Sequence, residues 1–112
     1  MPVEHDAIPT GPRQPAVSAT TIEGPPENVE QTLQLAHGQL LALYEQQPGW
    51  CGTLALVTFD RRRSILLSFW ESEAALREGS VGAGRFGDQV AALGVTITST
   101  DRFEILFDER VE

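Results

Sequence analysis

Residues 53–59 read T-L-A-L-V-T-F and residues 64–70 read S-I-L-L-S-F-W, a pattern that predicts two β-strands. In the first, Leu54 and Leu56 fall on one face, and Ala55, Val57 and Phe59 fall on the other. In the second, Ile65, Leu67 and Phe69 share a face, opposite Leu66 and Trp70. A strand wetted on one side alternates apolar and polar positions. These two strands are apolar on both sides, so each face is expected to meet something dry. Helices of the same chain can cover one face, and a partner subunit is the simplest cover for the other. Between the strands, Asp60-Arg61-Arg62-Arg63 reads as a solvated turn. Arginine forks suit oxyanions, but adjacent arginines at a hairpin tip point apart.

The remaining elements follow from the same periodicities. Residues 16–23 (A-V-S-A-T-T-I-E) form a strand rich in β-branched side chains, ended by Gly24-Pro25-Pro26. Proline is tolerated in the first turn of a helix, and a helix is expected from there to about Gln47. Its apolar stripe is Val29, Leu33, Ala36, Leu40 and Leu43, and Pro48-Gly49 stops it. His37 lies beside the stripe, and Tyr44 lies one turn from the helix end. Ser72 is a fair N-cap for a second helix, expected to break at Gly79. The glycine-rich connector 80–84 follows, and Phe86, Val90 and Leu93 restart a helical stripe that Gly94 closes. A last strand is expected over residues 95–108, with Phe103, Ile105 and Phe107 on one face. Residues 1–15 carry four of the seven prolines and little that packs, so they read as a tail preceding a domain at 16–112.

The order strand, helix, strand, strand, broken helix, strand predicts an α+β, ferredoxin-like βαββαβ fold with an antiparallel four-stranded sheet. The second and fourth strands then lie at the edges. Bare apolar edges invite mispairing. Joining the sheets of two subunits into a dimeric α+β barrel would remove the edges and dry the second face at once.

Composition narrows the function classes. At 112 residues the chain favours one domain. Its formal charge of −8, from 16 acids against 8 bases, disfavours nucleic acid and anionic membrane surfaces. The opening MPVEHDA shows no signal peptide, and no run approaches the ~20 apolar residues of a membrane helix. The single cysteine, Cys51, fits a reducing compartment and reads as a small buried apolar residue. A soluble cytoplasmic protein is expected.

Phe69-Trp70-Glu71-Ser72-Glu73-Ala74-Ala75-Leu76, following the hairpin, resembles the dimeric α+β barrel superfamily, and most of all its antibiotic-biosynthesis-monooxygenase-like domains. In those domains a strand ending in W-x-S leads into a short helix. Pro48-Gly49-Trp50, a helix end followed by a strand, is also similar. The resemblance covers residues 16–108. It implies a homodimer and admits cofactor-independent monooxygenases of polycyclic aromatics, haem-degrading enzymes and small proteins without known activity. In the haem-degrading branch an asparagine on the first strand and a histidine after the hairpin accompany the tryptophan that Trp70 matches. Residues 16–23 hold no asparagine and residues 72–93 no histidine, so neither haem nor another cofactor or metal is called for.

The resemblance therefore implies a cofactor-independent, monooxygenase-like oxidase of a small aromatic or quinol-type molecule. Trp70, by motif position, and Tyr44 and His37, by their places on the first helix, are its catalytic candidates, and Trp50 and Phe86 are further walls of its pocket. The alternatives are a non-catalytic binder of an apolar ligand and a structural or accessory dimer with a packed core. No convergent acid–base pair is visible in the sequence, which favours binding over hydrolysis or isomerisation.

Overall fold

In the computed structural model, which describes residues 15–80 and 84–106, the strands are β1 (Ala16–Glu23), β2 (Trp50–Val57), β3 (Arg63–Trp70) and β4 (Thr96–Glu104). They form one antiparallel sheet in the order β2-β3-β1-β4, the ferredoxin-like arrangement, with β2 and β4 at the edges. The helices are α1 (Pro26–Leu35), α2 (Leu41–Glu45), α3 (Glu73–Ser80) and α4 (Gly84–Ala92). A π-helical turn, Ala36–Leu40, joins α1 to α2 without a break. No helix among the described residues is long and apolar enough to cross a membrane.

Local chemistry accounts for the element ends. The Pro25 carbonyl accepts the first helical N–H groups of α1, from Asn28 and Val29. The Ser72 hydroxyl accepts from the Ala75 N–H at 3.1 Å, the N-cap bond that starts α3. Gly49 takes φ +89° to turn the chain out of α2, and its carbonyl accepts from the Glu71 N–H at 2.9 Å. In the hairpin turn, Asp60 Oδ1 accepts from the Thr58 hydroxyl and the Arg62 N–H, which leaves Arg61, Arg62 and Arg63 in solvent. Those hydrogen bonds, with the neighbouring arginines, hold the Asp60 carboxyl below its usual range.

Four local expectations are corrected. The inward stripe of the first helix ends on Tyr44, 7% exposed, while Leu43 is 43% exposed. The π turn absorbs one extra residue, so Ala36, Leu40 and Tyr44 stay in line at steps of four. Gly79 does not break a helix. It lies buried inside α3, where a Cβ would fall within the Trp70 ring. Cys51 is exposed, because the register slips between Trp50 and Gly52 and turns the extra residue outward. β4 ends at Glu104; Phe107 and the rest of the expected strand, like the 1–14 stretch of the tail, lie outside the described residues.

The core lies between the sheet and the helices. One cluster holds Ala16, Ala36, Leu40, Tyr44, Trp70 and Leu76; a second holds Ile22, Val29, Val90 and Val95. Phe86 packs against both.

Candidate functional site

The strand registers decide which side chains the helices enclose. Ser18 lies opposite Ser68 on β3 and Arg102 on β4. Thr20 lies opposite Leu66 and Thr100, and Ile22 lies opposite Ser64 and Ile97. A bulge at Thr98 keeps Ile97 in phase with Thr100 on the same face. These cross-strand rows form the floor of a cavity of about 260 Å³ between the sheet and the helices. Leu33, Ala36, Leu40, Tyr44, Phe86 and Val90 wall it from the helix side.

The cavity is apolar in its walls and rich in hydroxyls on its floor. Ser64 and Ser68 are 1% exposed, and the Ser64 hydroxyl donates to the Leu56 carbonyl at 2.7 Å. Thr32 and Ser80, at the helix side, donate back to Asn28 and Leu76 carbonyls. The side chains of Ser18, Thr20, Thr100 and Arg102 make no hydrogen bond or ion pair with any described residue. Among the described residues no aspartate or glutamate lines the cavity, and Tyr44 and Arg102 are its two ionisable walls. Burial pushes the Tyr44 phenol above its ordinary value, while a hydrogen bond with Ser68 acts in the opposite direction. Tyr44 therefore stays a neutral phenol at physiological pH, able to donate and accept. Among the described residues no group of three or more His, Cys, Asp or Glu is placed to hold a metal ion.

The five residues singled out from the sequence take different places. Tyr44 and Phe86 line the cavity. Trp70 stands behind Tyr44, 1% exposed, in edge-to-face contact with ring centroids 5.1 Å apart and planes at 86°. Its other side rests on Gly79. The indole Nε1 of Trp70 is buried without a hydrogen-bond partner among the described residues. Trp50 packs at the margin of the same cluster, 6.4 Å from the Tyr44 ring, and its Nε1 donates to the Thr53 hydroxyl at 3.1 Å. Trp50 does not line the cavity. His37 does not reach it either: the π turn points Ala36 and Leu40 inward and leaves His37 exposed. The expected wall histidine is thus absent from the site, and Arg102 and the hydroxyl rows stand where sequence reasoning placed nothing. The alternation of Ser18 and Thr20 with Val17 and Ala19 was the available signal.

No protein-family model matches the chain, and no curated protein matches it. Solved structures do. The chain matches a monooxygenase from Streptomyces coelicolor, the product of ActVA-Orf6, crystallised in complex with nanaomycin D. The TM-score is 0.71 at 17% identity, over 89% of this chain and 93% of that one. A protein of Deinococcus radiodurans assigned as an antibiotic biosynthesis monooxygenase matches at TM-score 0.71 and 16% identity, over 87% of this chain and 98% of that one. SnoaB, a cofactor-independent oxygenase from Streptomyces nogalater, matches at TM-score 0.64 and 14% identity, over 88% of this chain and 97% of that one. Identities this low establish architecture, and the architecture is clear: this chain has the fold of the antibiotic-biosynthesis-monooxygenase-like domains.

Proposed function

We propose that the cavity binds a small aromatic, quinol-type molecule, and that the protein is a cofactor-independent, monooxygenase-like oxidase of it. The observation that carries this reading is the cavity's division into apolar walls and a hydroxyl floor. Aromatic rings suit the space between Phe86, Leu40 and Tyr44, and ring oxygens suit the unpartnered hydroxyls of Ser18 and Thr20. A volume of about 260 Å³ is just below the usual range for drug-sized ligands, so the ligand is small. The nanaomycin D bound to the Streptomyces coelicolor neighbour is consistent with this class of ligand.

In the reaction, a quinol gives up two electrons and two protons and becomes a quinone, while oxygen takes them up as hydrogen peroxide. The chain contributes orientation and exclusion of water. Tyr44 hydrogen-bonds a ring oxygen, and Trp70 is a positioning residue that fixes the tilt of the Tyr44 ring. His37 has no part in this reading. The cavity counts against the packed-core alternative. The absence of a carboxylate or histidine from the lining among the described residues favours a second reading, ligand binding without reaction.

The protein acts in this reading as a cytoplasmic homodimer. Leu54, Leu56, Ile65, Leu67, Phe69 and Phe103 share the sheet face turned away from the helices, and Leu54, Leu56 and Phe103 are 50%, 46% and 53% exposed. A face this apolar is a partner surface. The lone thiol of Cys51 fits a reducing compartment.

Oxygen uptake with 1,4-dihydroxynaphthalene tests the reaction. Uptake above the spontaneous rate is expected, and Tyr44→Phe should lower it about tenfold, the worth of one hydrogen bond of ~1.4 kcal/mol. Trp70→Phe should lower it by a smaller factor; unchanged turnover would remove Trp70 from the mechanism. Binding of the quinol under nitrogen without catalysed uptake in air would leave the second reading standing.

A further inference from the structure

The floor of the cavity carries a polar track that runs across three strands. Ser68 on β3, Ser18 on β1 and Arg102 on β4 are register partners in one row along the cavity floor, buried at Ser68 and exposed at Arg102. Neighbouring strands lie about 4.8 Å apart, so the row spans roughly 10 Å, about the length of a two-ring aromatic molecule with one substituent. Tyr44 stands over the Ser68 end and Arg102 closes the other, at the edge strand where the cavity meets solvent.

The charge at this edge stands out. The chain carries 16 acids and 8 bases, yet among the described residues the lining holds one cation and no carboxylate. Glu104 is the next residue of β4 on that face, but it lies opposite Ala16, a row beyond, and outside the lining. Arg102 has no ion pair with any described residue. A planar guanidinium whose donors meet no partner among the described residues is matched in geometry to a carboxylate, which it binds through two parallel hydrogen bonds. Ser18 beside it offers one more hydroxyl with no partner among the described residues.

We infer that the cavity takes an aromatic acid. Its carboxylate sits on Arg102, and its ring oxygens lie along Ser18 and Ser68 toward Tyr44. This rests on the reading of the cavity as an aromatic-ligand site and adds the group that selects among such ligands. Arg102 is then a specificity residue, and neutral aromatics of the same shape bind less well. The simplest competing role for an arginine on an edge strand is to block sheet-to-sheet association, and such a role predicts no dependence on the ligand's charge.

The test uses two stable probes of one shape, 1-hydroxy-2-naphthoate and 1-hydroxy-2-naphthamide, titrated calorimetrically at pH 7 into the full chain. The acid is expected to bind at least tenfold tighter than the amide, with an affinity that falls as salt rises. Arg102→Gln should bring the two affinities within about twofold of each other by weakening the acid alone, and Arg102→Lys should restore part of the difference. Equal affinities in the unaltered protein, or an acid preference that survives Arg102→Gln, overturn the inference while leaving the aromatic-ligand site in place. If neither probe binds, the aromatic-ligand reading falls and this inference falls with it.

Discussion

The two faces of the sheet are built from the same strands and have opposite character. Toward the helices, β3 and β1 present Ser64, Ser68, Ser18 and Thr20 around Leu66, flanked by Trp70 and Ala16 at one end and Ile22 at the other. Away from them, β3 and β1 present Ile65, Leu67, Phe69, Val17 and Ala19, and β2 adds Leu54 and Leu56. A solitary domain would put the aliphatic face under its helices and the hydroxyls in water. Here the hydroxyls lie on the helix-facing side, beside Leu66, and the opposite side is aliphatic, with Val17 and Ala19 buried at its centre and Leu54 and Leu56 about half exposed at its edge. The inversion is consistent with two occupants: a ligand with oxygens on the enclosed side and a second subunit on the other.

The largest effect is expected where the enclosed face is sealed. Trp70 fills the space between Tyr44 and Gly79, so Trp70→Ala leaves a large hole. Loss of stability of about 3–5 kcal/mol is expected, read from the midpoint of urea unfolding. A loss under ~1 kcal/mol would mean that the end of the cavity is not held by this ring.

Next in size is a charge on the uncovered face. Leu67→Asp places a carboxylate at the middle of β3, between Leu54 and Ala19 and beside Phe69. An unpaired charge buried at an interface costs ~3–5 kcal/mol. Dimerisation measured by sedimentation should weaken by at least about a hundredfold, ~2.7 kcal/mol. Phe59→Asp, in the exposed hairpin turn, is the control and should change nothing. An unaltered chain that sediments as a soluble single subunit at micromolar concentration would end the two-occupant account of the inversion.

Much of the architecture was legible in the sequence because it rests on periodicity. The β1 limits, the hairpin, the Ser72 cap and the edge positions of β2 and β4 all follow from alternation and turn chemistry. What could not be read was phase. The π turn shifts the helix by one residue and so exchanges Leu43 for Tyr44 at the inner face. Bulges at Cys51 and Thr98 do the same to β2 and β4. A one-residue slip is invisible in composition but decides which side chains meet. Arg102 was missed for that reason: its place opposite Ser18 exists only after β4 is registered against β1. Gly79 read as a helix breaker because the tryptophan that needs its missing side chain lies nine residues earlier, on another element.

A smaller effect separates a ligand floor from an ordinary core. Thr20→Val keeps the shape of the side chain and removes a hydroxyl that has no partner among the described residues. Stability should stay within ~0.5 kcal/mol or rise slightly. Affinity for 1-hydroxy-2-naphthoate should fall about fivefold, one neutral hydrogen bond of ~1 kcal/mol. Unchanged affinity would show that the hydroxyl floor does not touch the ligand.

The smallest effect is a titration. Tyr44 is the chain's one tyrosine, so tyrosinate absorbance near 295 nm reports on it alone. Burial raises its pKa above the ordinary 10.0, and the Ser68 hydroxyl partly offsets that rise. The folded protein should therefore ionise above pH 10.0, and Ser68→Ala should move the midpoint higher still. The sign of the linked stability follows. The native state holds the proton more tightly than the unfolded chain does, so the contribution is complete below the unfolded value. It is lost as pH rises through the folded one. Unfolding free energy should accordingly fall with pH in that alkaline window, and Tyr44→Phe should flatten the fall. A bound aromatic acid should shift the midpoint upward again, since covering the cavity removes the last water from the phenol. A midpoint at the ordinary tyrosine value in the folded protein would place the phenol in solvent and open the enclosed face from the Tyr44 side.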